Sequence, residues 1–392
     1  MSNTQVLSPS VSHGTSAMVA ALIMAVGMGF GRFAFTGIYP QMVSEGVLTV
    51  HDGTLAASAN YAGYLLGALL ATRLHPKDAH NLCLWALLAT IVCVGVLSVL
   101  HTPWLIIAVR GLGGAVSALV MVAASLWLLQ HRGHSRGAPM LYAGVGIGIV
   151  LSSELLAAGQ SFGLDSHGLW LLLGAGALVL SLIAMPGLNS SPVEEPLLPA
   201  TASASSSSAP LGAGRLVVLY GLAGFGYIIT ATYLPLFVSG ALGAVSPIQV
   251  WALFGLGAVP SCFVWHAVHV RLGTHRALQL NLILQAIGVI LPVISPNAVG
   301  YLGSALIVGG TFMGTATISM LAARRVAHTV RFNILAAMTA SFGLGQIIGP
   351  LVASTLYARS QSFSASLQVA TAALVLAALL CVRLSKDSGV QP

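Results

Sequence analysis

The sequence predicts an all-α membrane protein, with 12 transmembrane helices in two pseudo-symmetric six-helix bundles. Three observations carry this prediction. Hydrophobic residues make up 57% of the chain and charged residues only 6%, with a mean hydropathy of +0.93, whereas a water-soluble domain keeps about a quarter of its residues charged. Apolar runs of membrane-spanning length recur along all 392 residues, without the alternation that a β-barrel strand requires. Finally, a local pattern returns after half the chain. Gly29-Phe30-Gly31 precedes Pro40 by the same interval as Gly224-Phe225-Gly226 precedes Pro235, and the two copies are offset by 195 residues. Two bundles related by an axis along the membrane normal produce such a repeat.

The spans follow from the apolar runs at about 20 residues each. In the first half they lie near 16–42, 54–72, 81–100, 103–130, 139–160 and 168–186. In the second half they lie near 215–239, 248–270, 276–295, 298–323, 333–357 and 364–384. Between the halves, residues 187–214 replace the apolar pattern with Glu194, Glu195 and a Ser/Ala-rich run from Thr201 to Pro210, the composition of a flexible linker. Three segments result: an N-terminal bundle over 1–186, a cytoplasmic linker over 187–214 and a C-terminal bundle over 215–392. The first fifteen residues carry no Lys or Arg, so the basic start of a cleaved signal peptide is missing and the first span is expected to be retained.

Orientation comes from the 15 basic residues. All except Arg32, Arg110 and Arg359 fall on the side of the two termini when successive spans alternate in direction. The positive-inside rule then places both termini and the linker in the cytoplasm. It also accounts for the net charge of +7, because the basic residues are scattered through short loops and form no nucleic-acid face. Cys83, Cys93, Cys262 and Cys381 lie in or beside apolar runs, without metal or disulfide spacing, and read as small buried hydrophobes.

Six plus six spans, a long central loop and a half-chain repeat resemble the major facilitator superfamily (MFS). Arg110-Gly-Leu-Gly-Gly114 in span four is similar to that superfamily's arginine-x-x-x-glycine signature, and Arg271-Leu-Gly-Thr-His-Arg276 after span eight is similar to its cytoplasmic loop motif. The loop Arg73-Leu-His-Pro-Lys77 matches that motif poorly, and both loops lack the usual aspartate before the first arginine. More narrowly, Gly29-Phe-Gly-Arg32-Phe-Ala-Phe, Tyr61-Ala-Gly-Tyr-Leu-Leu-Gly67 and Gly345-Gln-Ile-Ile-Gly-Pro350 resemble the bacterial YbfB/YjiJ-type branch over nearly the whole chain. The resemblance implies a transporter of the bacterial inner membrane whose spans one, four, seven and ten line a central cavity. Gly345 to Pro350 also resembles the glycine-proline motif of the superfamily's antiporters, which those proteins carry in span five.

Within the spans, Arg32, Arg110 and Glu154 stand out, because an ionised side chain at the centre of a spanning helix costs roughly 2.5–3.5 kcal/mol on insertion scales. Arg110 and Glu154 lie at one depth, about 10 Å below the external ends of their spans at 1.5 Å per residue, so a pair between them is expected. Arg32 has no second acid at its depth and is expected to face substrate. The surplus positive charge favours an anionic solute whose carboxylate or phosphate an arginine can grip. Arg32 and Arg110 are therefore substrate-binding candidates, with Tyr61, Tyr64, Tyr227, Tyr233 and Gln346 as hydrogen-bonding partners. Glu154 is the proton-coupling candidate, since a substrate that draws Arg110 away would leave it buried and ready to bind a proton.

The pairs His131/His134 and His266/His269 lack a third ligand and read as solvated, so no metal and no cofactor are expected. No nucleophile–base constellation, phosphate loop or HExxH motif points to an enzyme. The expected function is alternating-access secondary transport of a small organic, anionic solute, coupled to protons, by a monomer in the lipid bilayer. Efflux of drugs or metabolites and a non-transporting sensor or scaffold are the alternatives.

Overall fold

A computed structural model describes residues 13–189, 211–238 and 246–382, and among the described residues there are helices and no strands. Of the linker expected at 187–214, residues 190–210 lie outside this set, as do Arg383 and Lys386. The described residues form twelve rods, α1 to α12. In the first half these are α1 (Gly14–Ser44), α2 (Val50–Ala71), α3 (Ala79–Val96), α4 (Pro103–Leu126), α5 (Ala138–Ser161) and α6 (Ser166–Leu188). In the second half they begin with α7 (Ala213–Val238) and end with α10 (Ala298–Val326), α11 (Ile334–Ser360) and α12 (Ser364–Leu379). Between α7 and α10, the stretch Pro247–Ile294 is hydrogen-bonded as one helix but turns at Gly273, with φ 76° and ψ 171°. A side chain there would be strained, so the glycine is what lets the chain reverse. We label its two parts α8 (247–272) and α9 (274–294). Among the described residues nine helices, with Pro247–Ile294 taken as one, are long and apolar enough to cross a membrane.

Polar residues at the rod ends satisfy free backbone N–H groups. Thr49 and Asp52 form a capping box at α2, and Ser246 and Gln249 form another at α8. Asp165 caps α6, Asn297 caps α10 and Asn333 caps α11.

Burial sorts the rods. The most apolar window of α1 is 89% buried and that of α7 is 72% buried, against 33% for α3 and 39% for α6, so α1 and α7 form the centre and α3 and α6 the periphery. The two halves reuse one close contact. A Cβ on Gly29 of α1 would collide with the backbone of Gly148 on α5, and one on Gly345 of α11 would collide with the backbone of Gly221 on α7. First and fifth rods thus cross at backbone distance in each half, as small-residue packing in membranes allows. Between the halves, α2 packs on α11 and α5 on α8. The repeat also meets itself across the axis, since Thr36 Oγ1 donates to the carbonyl of Ala231 at 3.0 Å, 195 residues away.

Candidate functional site

The site is built on the middle of α1, where Ala25–Phe33 form a π-helical stretch whose nine residues are all buried. A π-turn bonds back five residues, and where it passes into an α-helix a carbonyl loses its regular partner. Arg110 on α4 supplies donors there. Its Nη1 donates to the Gly31 carbonyl at 3.1 Å and its Nη2 to the Arg32 carbonyl at 3.0 Å. The guanidinium also lies 4.4 Å from the ring centre of Phe35, and the Arg110 carbonyl accepts from Asn60 Nδ2 at 2.8 Å. Arg110 therefore holds the shape of α1 from behind.

The expected pair between Arg110 and Glu154 does not form, and this corrects the sequence reading. Arg110 is only 3% exposed and spends both Nη atoms on backbone, while Glu154 lies on the exposed face of α5 with Leu151 and Ala158. The depths agree and the directions do not. Gly144 and Gly148 are the α5 glycines that face α1, and at 3.6 residues per turn Glu154 points roughly 80° away from the first and roughly 120° away from the second.

Arg32 lies in the last turn of the π-helical stretch and is 3% exposed. Its Nη2 donates to Gln346 Oε1 on α11 at 3.1 Å. The guanidinium carbon lies 3.9 Å from the ring centre of Tyr64, 5.2 Å from that of Tyr61 and 5.4 Å from that of Phe33. Its Nε and Nη1 have no hydrogen-bond partner, and among the described residues no carboxylate reaches it. Cation–π contacts return about 0.5–2 kcal/mol each. One neutral acceptor and several rings are poor replacement for the hydration of a full charge.

Gln346 joins the two halves at this point. Its Oε1 accepts from Arg32 and its Nε2 donates to the hydroxyl of Tyr227 on α7. Arg32 and Tyr227 occupy equivalent places in the repeat, so one side chain bridges a position where the halves differ in charge. Tyr227 in turn stacks with Phe312 at 5.5 Å and Phe342 at 5.7 Å between ring centres. Rings of α1 and α2 thus lie against the guanidinium, and a second aromatic group from α7, α10 and α11 joins them through Phe33 and Gln346.

The remaining candidates separate by position. Tyr64 donates to Met121 Sδ at 2.7 Å and keeps its ring face on Arg32. Tyr61 shares a hydrogen bond with Thr232 at 2.9 Å, which ties α2 to α7. Tyr233, about 9 Å further along α7 than Tyr227, bonds to Thr54 at 2.6 Å and to the Pro350 carbonyl at 3.1 Å. With Thr36 on Ala231, Ser58 on the Ile347 carbonyl and Trp251 Nε1 on the Phe33 carbonyl, it belongs to the bonds that close the halves on the side away from the start of α1. The structure thus gathers Arg32, Tyr61, Tyr64, Tyr227 and Gln346. It sets Arg110 behind them, Tyr233 in the closure and Glu154 outside.

Sequence reasoning missed Phe312, Phe342, Asn60 and the threonines at 36, 54 and 232. Phe312 and Phe342 carry no mark that separates them from the chain's other phenylalanines. Thr36 had a signal, because residues related by the repeat and lying on its axis must touch.

A family model described as "Uncharacterised MFS-type transporter YbfB" matches residues 24–382. No curated protein matches the chain.

Proposed function

We propose a function from the premise that the chain belongs to the uncharacterised MFS-type transporter family YbfB, and is thus a multi-pass transporter of the major facilitator superfamily. Its substrate is a small organic anion with a flat or apolar body. The observation that carries this is Arg32, a buried cation with two unpartnered nitrogens and no carboxylate among the described residues. A charge held so deep is supported when a ligand supplies its counter-charge, and intramembrane ionisable groups commonly mark substrate pathways. The rings of Tyr61, Tyr64, Tyr227, Phe312 and Phe342 suit the carbon body, and the Arg32 guanidinium suits a carboxylate.

Transport proceeds by alternating access around this layer, with the cross-half bonds of Thr36, Thr54, Ser58, Tyr61 and Tyr233 closing one side. The distribution of basic residues supports both termini in the cytoplasm, and the resemblance to the bacterial YbfB/YjiJ-type branch supports a bacterial inner-membrane location. The working unit is taken as a monomer. Proton coupling through Glu154 has no support from geometry, because that carboxyl is exposed and away from Arg110.

A second reading, efflux of amphiphilic compounds, is favoured by the same aromatic wall, which would hold many flat apolar bodies. One experiment separates them. The purified protein is screened by thermal shift against carboxylates, phosphates, amino acids and cationic drugs, beside Arg32→Gln. Stabilisation by an anion that vanishes in the variant is the expected result. Stabilisation by cations, or by an anion that survives the substitution, would make Arg32 structural and turn the assignment to efflux.

A further inference from the structure

The aromatic face of α7 continues past the layer of Arg32 and Tyr227. Tyr220 stands seven residues before Tyr227, two helical turns that return it to the same face about 10 Å nearer the start of α7. Phe342 of α11 stacks on both, with its ring centre 4.4 Å from that of Tyr220 and 5.7 Å from that of Tyr227. From the other half, Tyr64 of α2 and Tyr142 of α5 interact electrostatically with Tyr220. Tyr220 therefore sits where the halves face each other, on the opposite side of the layer from the bonds of Thr36, Thr54 and Ser58 that close the halves. The hydroxyls of this group divide in two. Tyr227 uses its own on Gln346 and Tyr64 donates to Met121. Those of Tyr220, which is 4% exposed, and of half-buried Tyr142 bond to no described residue. A phenol with a buried ring normally finds a partner for its O–H, and a buried polar group left without one costs about 1–3 kcal/mol. Phenylalanine would stack on Phe342 equally well, so ring packing does not account for the two oxygens.

We propose that Tyr220 and Tyr142 form a second anchor, which hydrogen-bonds the far end of the substrate while Arg32 holds its carboxylate. The proposal rests on the anion reading of Arg32 and narrows it. The substrate is a carboxylic acid with a flat or extended body and a hydroxyl or carbonyl group about 10 Å from the carboxylate, the rise of two helical turns. A phenol both donates and accepts, so it suits either group. The rings of Phe342 and Tyr227 span the interval between the anchors and suit the carbon body. Such a molecule touches both halves through polar groups, Arg32 on α1 and Tyr220 on α7. A plain acid of the same length meets Tyr220 with carbon alone and gains nothing from its hydroxyl.

The test uses the full chain in detergent, with Kd read by calorimetry for two pairs of probes, cinnamate with 4-hydroxycinnamate and octanoate with 8-hydroxyoctanoate. Plain acids that bind the wild type and fail to bind Arg32→Gln establish the premise. In at least one pair the hydroxylated acid binds the wild type about 3- to 10-fold tighter than the plain one, the size of one net hydrogen bond. That gain shrinks in Tyr220→Phe and in Tyr142→Phe and falls below twofold when both are replaced, while the Kd of the plain acid changes less than twofold. Phenylalanine keeps the ring on Phe342, so the loss reads the oxygen and not the packing. A gain that survives the double substitution, or no gain for either pair in the wild type, would overturn the second anchor and leave the anion reading intact. Absence of wild-type binding by all four acids, or binding that persists in Arg32→Gln, would remove both.

Discussion

The two halves of this chain share a skeleton and differ in chemistry. In each half the first rod crosses the fifth at backbone distance, through Gly29 on Gly148 in one and Gly221 on Gly345 in the other. At the repeat-related site the N-terminal half carries Arg32 on a π-helical stretch, and the C-terminal half carries Tyr227 on α7. Behind Arg32 stands Arg110, and the corresponding residue of α10, by the same offset of 195, is the fully buried Ala305. Small residues therefore carry the symmetry, and a few polar ones break it. The lesson is that packing can be duplicated without duplicating the site.

Substitutions can break or sharpen this comparison. The largest effect is expected from Arg110→Leu, which removes the two charged hydrogen bonds to the Gly31 and Arg32 carbonyls, worth about 1.5–3 kcal/mol each. The melting temperature should fall well below that of the wild type, and Arg110→Lys should not restore it, because a single ammonium cannot reproduce the fixed fork. If Arg110→Leu melts like the wild type, the π-helical stretch needs no support and the contrast with Ala305 loses its meaning.

Next come Gly148→Ala and Gly345→Ala, each forcing a methyl group against backbone at about 1–3 kcal/mol. Similar losses in chemical denaturation would show that the two halves depend on their crossings alike. A loss confined to one half would show that the shared skeleton is shared in shape alone. Arg32→Gln has the opposite sign. Replacing an under-satisfied buried charge by a neutral amide should leave ligand-free stability unchanged or raise it by about 1 kcal/mol, while anion binding disappears.

Thr36→Val removes one hydrogen bond on the axis and should cost about 1 kcal/mol, read as a lower melting temperature. The smallest effect is expected from Glu154→Gln. An exposed residue without a bonding partner among the described residues should change stability by less than about 0.5 kcal/mol. Anion-driven thermal shifts should persist in that variant, and their loss would return Glu154 to the mechanism.

Much of this was legible from residues because the membrane leaves few choices. Apolar runs located the rods to within a few residues. The start of α2 at Val50, earlier than expected near 54, comes from the capping pair Thr49 and Asp52, which pulls a polar turn into the helix. The repeat located the layer of Arg32 and Tyr227. What periodicity along a helix gives poorly is direction around it, and that is where Glu154 and Arg110 were misjudged as partners. The π-helical stretch adds a second difficulty, since it changes the azimuth of every residue beyond it on α1. Gln346 was identifiable as a polar residue in an apolar rod. Its place between Arg32 and Tyr227 depends on how α11 meets both α1 and α7, which no local pattern encodes.

The contact between Thr36 and Ala231 has a consequence for the valence of the site. Residues that face each other across a pseudo-twofold axis would, in an assembly of two identical half-chains, face copies of themselves. An arginine at position 32 would then appear in pairs, two buried cations at one depth repelling each other across a low dielectric. A pair of unequal halves can place an odd charge on an even framework. The divergence of position 32 from position 227 is thus what permits this centre to hold one cation, and with it to be neutralised by one monovalent guest.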